Sequence, residues 1–142
     1  MKTELYEYVP KGPGSNLLFR QALCRKAMAD PTFASQIRAM CYEDFFFWIN
    51  CFGWTIDQKR PHPRKRVPFI TYPYQDKGFE ILFQSLDEGF DVSIEKSRQM
   101  GASWMFVMCV VWCWLYRSGQ NFLLLSRSDE YVDKSNEPKS LF

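Results

Sequence analysis

The sequence predicts an α/β fold in which a helical N-terminal segment precedes a parallel βαβ unit. Three observations carry that prediction. Residues 15–54 alternate cap or breaker residues with apolar runs at helical spacing. Lys59 to Arg66 then interrupts the chain with basic residues and prolines. Beyond it, Asp91–Glu95, Lys96–Ser103, Trp104–Tyr116 and Phe122–Ser126 read in order as strand, loop, helix and strand. The expected division is therefore a helical segment over 1–58, a linker over 59–66 and a partial nucleotide-binding domain over 67–142.

Composition sets the class. The 142 residues are enough for a compact domain, and 46% are apolar against 24% charged, a globular balance. The aromatic content of 18% excludes a disordered chain. A net charge of +2 does not by itself mark a nucleic-acid binder. The five cysteines include no CxxC pair, and their number is odd, so a reducing compartment is expected rather than a disulfide framework. His62 is the sole histidine, and no closely spaced Cys/His set suggests zinc. Met1 to Gly14 is charged and contains Pro and Gly, unlike a secretory signal. Trp104 to Tyr116 is apolar but shorter than the ~17–25 residues of a membrane-spanning helix, so a buried helix is expected and no membrane is called.

The elements follow in chain order. Met1 to Pro13 reads as an arm ending in a Gly-Pro-Gly breaker. Ser15 or Asn16 caps a first helix to about Ala29, with Leu17, Leu18, Ala22 and Ala27 as its apolar positions. Asp30-Pro31 caps and opens a second helix, which carries Phe33, Ile37 and Met40 on one face. A third, very aromatic stretch holds Phe45, Phe46, Phe47, Trp48, Ile49, Phe52 and Trp54, with Gly53 as the helix stop. This aromatic run suits a core; the alternative is a surface for stacking bases. Lys59, Arg60, Arg64, Lys65 and Arg66, with Pro61 and Pro63, form an extended basic loop. It suits either DNA phosphates or plain solvation as a linker. Val67 to Gln75 leads into a helix from Asp76 to about Leu86.

The loop between the last two expected strands carries the chemistry. Phosphate binding needs converging backbone N–H groups, a cation and a hydroxyl for Mg2+. Against GxxxxGK[ST], Gly101 matches the second glycine and Ser103 the hydroxyl position. Lys96 stands at the first glycine and Ala102 at the usual lysine, so the loop is irregular twice. Lys96, at the strand end, or Arg98 supplies the charge in this reading. The bland alternative is a βα turn with a serine cap.

Glu95 to Trp104 resembles the variant Walker A loop of phage large terminase subunits, the ATPases that drive DNA into capsids. In that family the lysine moves to the start of the loop, where Lys96 stands. Pro68 to Gln75 resembles the family's adenine-recognition segment, and Phe122–Arg127 with Tyr131–Lys134 resembles the strand and loop after the first crossover. The resemblance covers about Phe45 to Phe142 and implies an incomplete P-loop ATPase. It implies that Lys96, Ser97, Arg98, Gln99, Met100, Gly101, Ala102 and Ser103 bind the phosphates of ATP. By the same resemblance Ser103 holds Mg2+, Gln75 bonds the adenine edge and Tyr74 packs on the base. Double-stranded DNA, a portal protein, a small terminase subunit and a homo-oligomeric ring are the implied partners, in the cytoplasm of a bacterial host. The family's acidic pair is not assigned, because no apolar strand leads directly to Asp129-Glu130. The expectation is a chain that stops before that pair and before the nuclease domain, and that does not hydrolyse ATP efficiently alone. Two other readings stay open: a fragment of another Gln-motif ATPase such as a helicase, and a non-enzymatic helical interaction module.

Overall fold

A computed structural model describes residues 4–57, 59–61, 63, 65–97 and 100–125. A short 3-10 turn at Glu4–Tyr8 leads into α1 (Pro13–Ala29), α2 (Pro31–Glu43) and α3 (Phe45–Phe52). Then come β1 (Trp54–Ile56), β2 (Arg66–Pro68), α4 (Pro73–Glu88) and α5 (Ala102–Tyr116). The described residues are thus mostly helical, with one small antiparallel sheet. The chain divides into two compact units, Met1–Glu80 and Ile81–Phe142, with the boundary inside α4. Among the described residues, no helix is long and apolar enough to cross a membrane.

In the first unit, short polar caps separate three successive helices. Asp30 ends α1 and starts α2, its carboxylate accepting from the Thr32 and Phe33 amides at 2.9 and 3.2 Å. Pro31 takes the first-turn position, where no amide hydrogen is needed. Asp44 repeats the device at α3, accepting from the Phe47 amide at 3.0 Å. Asp30→Ala is expected to cost about 0.5–2 kcal/mol of stability in urea unfolding, because two first-turn donors lose their acceptor. Ile37 and Cys41 form the buried face of α2, with Phe33 and Met40 half-buried beside them.

The aromatic run of α3 is core. Phe45, Phe46, Phe47 and Ile49 are buried, and the Phe45 ring lies 4.6 Å from that of Phe79. These rings are therefore not a base-stacking surface. Gly53 ends the helix, its amide donating to Ile49 O at 2.9 Å. An added Cβ at Gly53 would stand 2.5 Å from that same carbonyl, so glycine is required there for space.

The inward face of α1 differs from expectation. Leu17 and Leu18 are exposed, while Asn16 and Arg20, one turn apart, are buried. Helical spacing of apolar residues misplaces this face because polar side chains fill it. Ser15 and Asn16 are not the caps either; the helix begins at Pro13 after Gly12.

Cys51 is enclosed in the same core, and burial pushes its thiol up to about 12 from an ordinary 9.0. The folded state thus resists ionisation, and that contribution is complete below pH 9 and lost as pH rises toward 12. Arg20 acts in the opposite sense only above about 10, where its buried guanidinium begins to lose its proton. The urea midpoint is therefore expected to fall between about pH 8 and about pH 10.

Residues 59–66, read from sequence as a linker, join β1 to β2, with Arg66 itself in β2. The two strands pair in register Trp54 with Pro68, Thr55 with Val67 and Ile56 with Arg66. Asp57 continues the ladder by donating its amide to Lys65 O at 2.8 Å, and its carboxylate binds Arg60.

The parallel βαβ core is not formed among the described residues. Residues 91–95 and 121–125 carry no secondary structure, and Ser126 lies outside the described residues. A strand exists through its neighbours' hydrogen bonds, so two short apolar runs do not make a sheet unless they pair with one another or with other strands.

Candidate phosphate loop and base-recognition turn

The second unit holds the loop. Lys96 and Ser97 are exposed, while Arg98 and Gln99 lie outside the described residues. Gly101 has φ +79° and ψ 11°, the left-handed conformation that favours glycine. From it α5 starts at Ala102, and the first helical bond runs from the Met105 amide to Gly101 O at 3.0 Å. Among the described residues, no side chain caps this helix end. Gly101, not Ser103, holds the cap position, so the serine-capped turn considered from sequence is not what forms. Ser103 is exposed in the first turn and Ala102 is buried beneath it.

The apolar run of α5 fixes that helix end. Met105, Met108, Cys109, Trp112 and Cys113 are buried. Trp112 meets Phe83 edge-to-face at 5.3 Å. Arg117 then lies over both rings and bonds Asp87 at 2.7 Å. Contact with Cys113, together with burial, pushes the Cys109 thiol well up, which keeps it an apolar core residue. α5 is thus a 15-residue helix held by its apolar run, with Gly101 at its N-terminal end. Such an end attracts anions, because the first-turn N–H groups have no intrahelical acceptor.

The base-recognition segment belongs to the first unit. Gln75 is buried, with Oε1 accepting from the Tyr72 amide at 3.1 Å, while the Gln75 amide donates to Tyr72 O at 2.9 Å. Its side chain therefore closes the turn that opens α4. A carbonyl oxygen has a second lone pair, so this bond is compatible with a further donor. Tyr74 is exposed and stacks on exposed Tyr72 with ring centroids 5.7 Å apart and planes 6° from parallel. Sequence reading named Tyr74 but not its partner in the stack.

A polar cluster lies behind the turn. The Thr71 amide donates to Asn50 Oδ1 at 3.0 Å. Lys11 Nζ donates to Tyr6 Oη at 2.6 Å, Asn50 Oδ1 at 3.0 Å and Thr71 Oγ1 at 3.1 Å. The Tyr6 hydroxyl donates to Asp76 Oδ2. Burial and then this bond raise the tyrosine's ionisation above its ordinary value. Neither Tyr6 nor Lys11 was singled out from sequence, since no motif marks a polar contact between residues so far apart.

Asp129 and Glu130, the adjacent acids left unassigned from sequence, lie outside the described residues. No family model matches the chain, and neither a curated protein nor a solved structure matches it.

Proposed function

We propose that this chain carries the nucleotide-binding loop of a DNA-packaging ATPase of the phage large-terminase kind. The observation that carries the reading is the Lys96–Ser103 run itself, in which a left-handed Gly101 opens an apolar helix that no described side chain caps. In this reading the amides at the start of α5 bind phosphate oxygens, and Gly101 lets the backbone approach them. Lys96, with Arg98 as a second cation, neutralises phosphate charge. Ser103 fits a Mg2+ ligand, because it is exposed in the first turn and takes no part in capping. Bound Mg2+ would supply charge neutralisation at the phosphate oxygens. Tyr74, paired with Tyr72, offers a flat aromatic face to adenine, and Gln75 holds the turn and bonds the base edge.

The finer fold of this reading takes 91–95 and 122–126 as parallel strands flanking α5. Their order around the helix is the one a βαβ unit needs. In the assembled motor the family resemblance adds double-stranded DNA, a portal, a small subunit and a ring of copies.

The test is a titration with a fluorescent ATP analogue in Mg2+, followed by competition. Saturable binding displaced by ATP better than by GTP is expected. A folded chain that binds neither nucleotide would remove the reading. A second reading, a helical interaction module, is favoured by the mostly helical structure and by exposed Trp114 on α5. It requires no nucleotide binding and no effect of Lys96→Ala.

A further inference from the structure

The segment proposed to read the base is held from both sides by residues of the N-terminal arm. Thr71, four residues before Gln75, receives a hydrogen bond from Lys11. Asp76, the residue after Gln75, receives one from Tyr6. Lys11 and Tyr6 bond each other, so the two holds form one clasp. The Lys11 ammonium has three protons and three acceptors at 3.1 Å or less, and it also lies 3.9 Å from the Tyr6 ring centre. Asn50, fully buried in α3, completes the clasp by accepting from the Thr71 amide and from Lys11. The Tyr6 ring itself rests 5.3 Å from that of Phe46.

The clasp ties the turn to the arm at Thr71 and at Asp76, beside the bonds that Asn50 makes to Thr71. The turn's aromatic residues Tyr72 and Tyr74 are exposed, and the Gln75 side chain closes the turn on the Tyr72 amide. Asp76 Oδ1 is buried with no hydrogen-bond partner among the described residues. The Tyr6 hydroxyl on Oδ2 is therefore the side-chain contact that offsets burial of this carboxylate.

We infer that Tyr6 and Lys11 are positioning residues that clasp the 71–76 turn in its base-reading geometry. The ligand in this inference rests on the nucleotide reading above; the clasp rests on the hydrogen bonds alone. The experiment uses the full chain with Tyr6→Phe and Lys11→Met, each checked for an intact fold by circular dichroism. Tyr6→Phe keeps the ring against Phe46, and Lys11 is exposed, so both variants are expected to fold.

Two quantities are read. The first is amide hydrogen exchange at Thr71, Tyr72 and Gln75 without nucleotide, expected to speed up about tenfold in both variants. The second is the affinity for Mg2+–ATP against that for inorganic tripolyphosphate, which has no base. ATP is expected to bind roughly five- to tenfold more weakly, and tripolyphosphate within about twofold of native. A merely structural loss would weaken both ligands equally. Unchanged exchange at 71–76, or equal weakening of both ligands, overturns the inference. Faster exchange in a chain whose native form binds no ATP supports the clasp and overturns the nucleotide reading instead.

Discussion

Lys96→Ala is expected to weaken Mg2+–ATP binding roughly tenfold or more, a loss of about 1.4 kcal/mol or greater. Lys96 is exposed at the start of the loop, five residues before Gly101. Its effect should therefore fall on the anion alone. A hydrogen bond between charged groups contributes about 1.5–3 kcal/mol, which covers the predicted range. Because the cation is exposed, the loss should shrink as salt is raised. Ser103→Ala should give a loss of similar size, but only with Mg2+ present. In chelator, native and Ser103→Ala chains should bind alike if the hydroxyl acts through the metal, as proposed. If Ser103→Ala weakened binding equally with and without Mg2+, the hydroxyl would be contacting phosphate directly.

Arg20→Ala is expected to lower stability by about 3–5 kcal/mol, more than any exposed substitution in the chain. Arg20 is 3% exposed. Its Nε donates to Asn16 Oδ1 at 2.6 Å and its Nη1 to Gly53 O at 2.7 Å. Its Nη2 donates to Asn50 O at 2.8 Å and Phe69 O at 3.2 Å. The Asn50 and Gly53 carbonyls lie at the C-terminal end of α3, where intrahelical donors run out and a cation is favourable. One guanidinium thus caps α3 and ties it to α1 and to the residue after β2. Truncation takes the guanidinium from Asn16 Oδ1 and Phe69 O, while Asn50 O keeps the Asn16 side-chain amide and Gly53 O keeps the Phe69 amide. Each buried acceptor left unpaired costs about 1–3 kcal/mol before any relaxation. Burial lowers the ionisation of Arg20 to about 10, so it remains charged at neutral pH. Arg20→Lys should rescue little, because a single ammonium does not reproduce the planar fork. Urea unfolding decides the matter, and a loss under about 1 kcal/mol for Arg20→Ala would show that water takes over these carbonyls.

The contrast between these residues shows what the sequence made legible. Asp30-Pro31 carries its cap in two adjacent residues, so the start of α2 could be read directly. The unbroken apolar run after Gly101 likewise announced α5, and Gly53 the end of α3. Arg20 and Asn16 were invisible as core, because their burial depends on backbone carbonyls 30 or more residues away. The β1–β2 pair was missed because its strands are three residues each and the connection is dominated by charge and proline. The strands expected at 91–95 and 122–126 are not formed among the described residues, for the converse reason: an apolar run is a local signal, but a strand is a non-local structure. Within the candidate site, Gly101 and the exposure of Lys96 and Ser103 follow from local sequence. The Tyr6–Lys11 clasp does not, since it joins residues 65 and 60 positions from Thr71.

The most direct measurement is equilibrium binding of a fluorescent ATP analogue in Mg2+ by the native chain, Lys96→Ala and Ser103→Ala, each first shown to be folded. Binding by the native chain that falls roughly tenfold or more in both variants is the expected result. Equal binding by all three folded chains would contradict the phosphate-loop reading of Lys96–Ser103.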